Sequence, residues 1–323
     1  MKRAFPIPSG AQALISRIGG TPMVEFRLGR RGANATRIFA KLESVNPGGS
    51  VKDRPVVRML LDAIAAGRFA DGRRLLDSSS GNAGISYAML GAALSVPVTI
   101  VVPGNASRER LDRIAAHGAE LVLTDPLEGY DFALREAHRL AAAQPERYWY
   151  CDQYSNANNW RAHYDTTGAE ILAQITEQTG EPPQAFVAGV GTGGTLTGAG
   201  RRLREACREV YIAAVVPETF PGIEGLKPLG HPGDIVPGIL DESLIDERIP
   251  VALDEAVAVC RELTREGLFV GPSSGAFVHG ALKLAKTGRF HSIVTVLSDT
   301  GERYTSTAMW QRTPPSDPGQ VRR

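Results

Sequence analysis

Two rhythms of apolar residues alternate along the chain. Short runs rich in β-branched and aromatic residues, RIFAKLE (37–43), RRLLD (73–77), PVTIVVP (97–103), AELVLTD (119–125), RYWYCDQ (147–153), QAFVAGV (184–190), VYIAAVV (210–216) and HSIVTVLS (291–298), predict strands. Between them, RPVVRMLLDAIAAG, ISYAMLGAALS, SRERLDRIAAHG and DEAVAVCRELTREG place apolar residues three and four apart, the spacing of a helix with one buried face. Alternation of this kind predicts an α/β fold, with mostly parallel sheets flanked by helices. The strands show no eightfold regularity, so two open sheets fit better than one barrel. Ligands of open sheets bind where the carboxyl ends of strands turn into helices.

Composition narrows the partners. The chain has 323 residues, 43% of them hydrophobic, enough to fill about two domains. Thirty-six basic against thirty-five acidic residues give a net charge of +1. No large field points to nucleic acid or an anionic membrane, and small-molecule substrates are expected. Cys151, Cys207 and Cys260 are odd in number and form no C-x-x-C pair, which predicts neither a disulfide framework nor a metal site. Prolines 6 and 8 interrupt the start of the chain, and Ser95 and Pro97 break its most apolar window, 88–102. Neither a signal peptide nor a membrane span is predicted, and a cytoplasmic location is expected.

Three glycine-rich or serine-rich turns carry candidate chemistry. After QAFVA comes GVGTGGTLTGAG, in which Gly189, Gly191 and Gly194 have the spacing of a dinucleotide-binding loop, with Glu218 ending the next strand. The loop is richer than that motif needs. Gly191, Thr192, Gly193, Gly194 and Thr195 offer successive backbone N–H groups and two hydroxyls ahead of a helix, a nest suited to one phosphate. After RRLLD comes SSSGNAG (78–84), whose serines and Asn82 exceed what a helix cap requires and suit a carboxylate. In NPGGSVKDRP, Lys52 stands at a helix start, where partial positive charge disfavours an ammonium. A lysine of lowered pKa is a better nucleophile and base, able to form a Schiff base.

A Schiff-base lysine, a phosphate nest and an amide-bearing anion loop together match the needs of pyridoxal 5′-phosphate (PLP), whereas a nicotinamide dinucleotide leaves Lys52 and SSSGNAG idle. Over about residues 20–309 the sequence resembles the fold-type II PLP enzymes, specifically the cysteine synthases and most of all their B-type branch. The resemblance rests on GGTPMV, KLESVNPGGSVKDRPVVRML, SSSGNAGISYAM, QYSNANNWRAHYDTTGAEI, GVGTGGTLTGAGRRL, EGLFVGPSSGA and SDTGERYTSTAM in that order. It implies a tryptophan synthase β-like fold and a homodimer. It also implies a larger phosphate-binding domain from 1–44 and 158–311, and a smaller mobile domain, 45–157, bearing the carboxylate loop. The polar, proline-rich 312–323 is expected to be a disordered tail.

By the same resemblance Lys52 is the PLP lysine, Asn82 meets the ring 3′ oxygen, Gly191 to Thr195 hold the phosphate, and Ser273 meets the pyridine nitrogen. Ser79, Ser80, Asn82, Ala83 and Gln153 form the site for the substrate carboxylate, and no metal is implied. Ala83 lacks the hydroxyl that many relatives carry there, and the stretch 156–159 departs from the family's NPANP, which is expected to loosen the loop beside Gln153. His163 is expected to be a packed or surface residue, and helix-start electrostatics are expected to account for Asp53. The implied reaction is β-replacement, giving L-cysteine from O-acetyl-L-serine and sulfide by way of α-aminoacrylate. O-phosphoserine sulfhydrylase, cystathionine β-synthase and serine/threonine dehydratase are the alternatives. A retired PLP-binding regulatory protein is the reading from another class, against which the intact Lys52, Asn82 and Ser273 argue. Within 217–230 the only basic side chain is Lys227, which favours acetyl over phospho donor.

Overall fold

The computed structural model describes residues 7–29, 35–79, 81–218, 222–229 and 235–310; Ser80, His231 and the tail 312–323 lie outside them. Among the described residues ten strands form two sheets. The larger runs in the order β1 (Met23–Phe26), β2 (Arg37–Leu42), β10 (Ser292–Leu297), β7 (Ala185–Gly189), β8 (Tyr211–Pro217), β9 (Glu247–Val251). Only β1 pairs antiparallel, against β2. The smaller sheet has the order β5 (Glu120–Thr124), β4 (Val98–Pro103), β3 (Arg74–Ser78), β6 (Tyr148–Tyr150), all parallel.

The eight strands expected from pattern are present, with β6 reduced to three residues. The two unforeseen strands, β1 and β9, are the edges of the larger sheet. Half-exposed edges need no continuous apolar run, and an edge tolerates Pro250 because one side of it has no ladder to break. By contrast β4, β7 and β10 are buried at every position, as parallel strands covered on both faces must be. No helix among the described residues is long and apolar enough to cross a membrane.

The chain leaves the larger sheet after β2, turns through Lys52 into the helix Asp53–Ala65, and builds the whole smaller sheet before returning to β7. An ion network fixes this crossing. The Arg54 guanidinium, 2% exposed, bonds Glu43 through Nε (2.7 Å) and Nη2 (2.9 Å), and Glu170 through Nη1 (2.7 Å) and Nη2 (2.8 Å). Thr21 Oγ1 donates to Glu43 at 2.7 Å, and Lys41 Nζ reaches Glu170 at 2.8 Å. Asn46 donates to Glu43 Oε2 (2.8 Å) and to Ser50 O (3.2 Å), so the same network shapes the turn ahead of Lys52. Burial alone would raise the Glu170 carboxyl; hydrogen bonds and charge from Arg54 and Lys41 outweigh it and hold it at about 2. A buried ion pair of this kind is strongly destabilising when one member is removed. Arg54→Leu is therefore expected to lose about 3–5 kcal/mol in denaturant unfolding, whereas a loss below about 1 kcal/mol would place the network among incidental contacts.

Candidate active site

A cavity of about 1120 Å³ opens at the carboxyl ends of the parallel strands and is lined by segments of both sheets. Lys52, Asn82, Gln153, the Gly191–Thr195 loop and Ser273 all face it, as do Ser79 and Ala83. Every predicted site residue that is described thus meets in one place; Ser80 is outside the described residues.

Lys52 stands at the start of the helix Asp53–Ala65, as its sequence context suggests, without a side-chain capping bond. Burial pushes its ammonium below the usual lysine range, while the Asp299 carboxylate pulls the other way. Burial, rather than the helix end credited from sequence, is the leading cause. The turn before it is locked by Asp53, whose carboxylate accepts from Gly48 N and from Ser86 Oγ on the helix Asn82–Leu94. Asp53 therefore joins two walls of the cavity, a larger part than helix-start electrostatics assigns it. Gly49 has φ +76, which suits glycine at this tight turn.

The loop Gly191–Thr195 leads from β7 into the helix Gly194–Ala206, whose first-turn N–H groups have no intrahelical acceptors. Gly193 has φ +82, and a Cβ on Gly191 would stand 2.5 Å from Gly225 O, so both positions call for glycine. Asn159 bonds both Gln153 O (2.7 Å) and Thr192 Oγ1 (3.1 Å) through its amide nitrogen. The stretch expected to be loosened is instead tied, at Asn159, to the phosphate-type loop. His163, buried at 1% exposure, touches Thr195 Oγ1 through Nε2 (3.3 Å) and Thr167 Oγ1 through Nδ1 (2.9 Å). Burial, with Arg54 and Lys52 nearby, drives its pKa well below the usual value and leaves it neutral.

On the opposite wall, Ser79 Oγ accepts from Gly81 N (3.1 Å) and Gly84 N (2.9 Å), so it caps the helix Asn82–Leu94 while facing the cavity. Gln153 donates from Nε2 to Ser78 O at 2.6 Å. Beneath both lies Asp77, fully buried, which accepts from Ser78 N (2.8 Å), Gln153 N (3.2 Å) and Tyr87 OH (2.6 Å). Ser273 follows Pro272 at the start of the helix Pro272–Ala285 and is 6% exposed, a neutral hydroxyl in the cavity lining.

Several lining residues escaped the sequence reading. Arg110 comes from the helix Arg108–Ala116, pairs with Glu224, and lies over the Tyr304 ring at 4.9 Å. Lys227 pairs with Asp131 at 2.7 Å. A search for cations within 217–230 alone could not find Arg110, which is more than one hundred residues away in sequence. An electrophilic cofactor held by an amine, a phosphate by backbone N–H groups, and ring polar atoms by Asn82 and Ser273 fit this donor set.

Residues 14–299 match the family model described as pyridoxal-phosphate dependent enzyme. The chain is 44% identical over 313 residues to a cysteine synthase of Aquifex aeolicus (strain VF5), covering 94% of each chain. It superposes on a solved structure of O-ureido-L-serine synthase with a TM-score of 0.84 and 35% identity, covering 97% of this chain and 98% of that one. It superposes likewise on O-acetyl serine sulfhydrylase isoform 3 from Entamoeba histolytica with a TM-score of 0.82 and 32% identity, over 94% and 92% of the two chains.

Asp77 gives the site a pH signature. Burial pushes its carboxyl up to about 7, against hydrogen bonds from Tyr87 and Ser78. The folded pKa lies above the unfolded value of about 3.9, so between these limits the native state keeps a proton that the unfolded chain has released. The stability contributed is fully present below about pH 4 and declines as pH rises to about 7. In unfolding measurements across that range, the difference between wild type and Asp77→Asn is expected to shift toward the variant as pH rises, by roughly 1.4 kcal/mol per unit of pKa displacement. A difference independent of pH would show that Asp77 titrates normally.

Proposed function

The chain belongs to the pyridoxal-phosphate dependent enzymes, and from that membership we propose the assignment that follows: a cysteine synthase that makes L-cysteine by β-replacement from O-acetyl-L-serine and sulfide. PLP-dependent cysteine synthesis is the activity carried by relatives covering most of the chain. The observation that carries the residue assignment is the convergence of a buried, pKa-lowered lysine and a glycine-rich N–H nest on one cavity.

In this assignment Lys52 holds the cofactor's aldehyde carbon, Gly191, Thr192, Gly193, Gly194 and Thr195 its phosphate, Asn82 its 3′ oxygen and Ser273 its ring nitrogen. The bound cofactor supplies an electron sink at the substrate α-carbon. Lys52, whose ammonium form desolvation disfavours, takes the α-proton at Nζ and later returns it. Neutral Ser273 does not force a proton onto the ring nitrogen, which suits a reaction in which a β-leaving group accepts the electrons. Ser79, Ser80, Asn82, Ala83 and Gln153 orient the substrate carboxylate, Ala83 through its backbone alone. Neutral His163 holds the Thr195 hydroxyl without adding charge. Movement of 45–157 against the rest, action as a homodimer and a cytoplasmic location complete the assignment.

Pairing of two of the cavity's cations supports the acetyl donor; a third, Arg261, donates to Met309 O at 3.2 Å. Lys227 is engaged by Asp131 and Arg110 by Glu224, so a phosphate dianion would have to displace a carboxylate from either. The presence of Arg110 at all favours a second reading, O-phosphoserine, because guanidinium suits phosphate.

Borohydride reduction of the purified protein followed by peptide mass analysis should place a pyridoxyl group on Lys52; a label on another lysine ends the assignment. Gly193→Asp should sharply weaken PLP binding, since it adds charge and a Cβ that would lie 3.0 Å from Leu240. Steady-state kinetics should give the higher kcat/KM for O-acetylserine. A tenfold preference for O-phosphoserine, roughly 1.4 kcal/mol, that disappears in Arg110→Leu would transfer the leaving group to that arginine.

A further inference from the structure

Asn82 is gripped at both ends by the segment after β10. Its Nδ2 donates to Asp299 Oδ2 at 2.7 Å, and its Oδ1 accepts from Arg303 Nη1. Asp299 is fully buried and also accepts from Tyr304 OH at 2.7 Å; Arg303 donates its other terminal nitrogen to Gly48 O in the Lys52 turn. The backbone of this segment is joined to that turn as well, through a bridge between Ser50 and Asp299 and a bond from Val51 N to Ser298 O at 2.9 Å.

These contacts distinguish the two ends of an amide that are nearly alike in shape. Reversing Asn82 would set its oxygen against a carboxylate and its nitrogen against a guanidinium, so only one orientation is tolerated. An amide nitrogen carries two hydrogens; Asp299 takes one, and the other is left for the cavity that Asn82 lines. The remaining oxygen of Asp299, Oδ1, is buried and has no hydrogen-bond partner among the described residues.

We propose that Asp299 is a positioning residue for the cofactor: acting with Arg303, it fixes the side-chain amide of Asn82 with its nitrogen toward the cofactor's 3′ oxygen. The proposal rests on the role assigned to Asn82 above. It predicts that the greater part of the influence of the Asp299 side chain on cofactor binding runs through Asn82.

Titration of the apoprotein with PLP, read by dissociation constant and by the absorption band of the bound cofactor, tests it. Asp299→Ala should weaken binding about tenfold and displace the band in the same direction as Asn82→Ala, yet change the dissociation constant less than about twofold when Asn82 is already alanine. Asp299→Asn, which keeps the size and an acceptor, should recover most of the affinity; Asp299→Leu, which keeps the size and removes the acceptor, replaces the alanine variant in the cycle if that variant does not fold. An equal loss in both Asn82 backgrounds, or no loss in the wild-type background, overturns the proposal. If Asn82→Ala alone leaves both affinity and band unchanged, the role assigned to Asn82 falls, and this inference with it.

Discussion

A guanidinium clasped between a buried carboxylate and a half-buried one is the constraint on which the molecule's working parts depend. Arg54 could not be left between Glu43 and Glu170 unless all three were held in register, because an unpaired charge at any of these positions would be costly to bury. Register there means that the end of β2, the first turn of the helix Asp53–Ala65 and the helix Ala169–Thr179 keep one mutual arrangement. Lys52 is two residues from Arg54 and Asn46 shares Glu43, so the placement of the amine follows from the placement of the charges. The lysine needs no hydrogen bond of its own to be located.

The cavity is assembled from turns that are individually unremarkable and collectively over-determined. Asp53 joins the Gly48 turn to the helix of Asn82, Asn159 joins Gln153 to Thr192, and Arg303 joins Gly48 to Asn82. Each of these polar side chains bonds two separate segments rather than one. Displacing any one wall disturbs at least one other, which is how a site on loops acquires the rigidity usually associated with regular elements.

What could be read from the sequence was whatever is local. Lys52, Gly191–Thr195 and SSSGNAG are contiguous motifs whose backbone chemistry shows in the order of residues, and the cavity gathers those that are described. The buried parallel strands were legible for the same reason, since a run such as VTIVVP leaves no other option. Groups that act across distance were not legible. Arg110 and Asp77 have no local signature, Asp299 and Arg303 lie in the SDTGERYTSTAM motif without a role to be read there, and each matters because of a partner brought to it by the fold. Asn159 shows the same limit, because departure from a family pattern suggested slack where the folded chain has a double anchor. Edge strands β1 and β9 were missed because partial exposure erases the pattern that marks their neighbours.

Ser79 imposes a polarity filter on its corner of the cavity. Both lone pairs of its oxygen are engaged by the N–H groups of Gly81 and Gly84, so its hydroxyl hydrogen is the only hydrogen-bonding capacity it has left. A molecule entering there must bring an acceptor. A carboxylate does so whichever way it turns, whereas the NH2 of a primary amide would confront a donor with a donor and forfeit the contact. Discrimination between an amino acid and its amide can thus be written into the wiring of a helix cap, with no charged side chain committed to it.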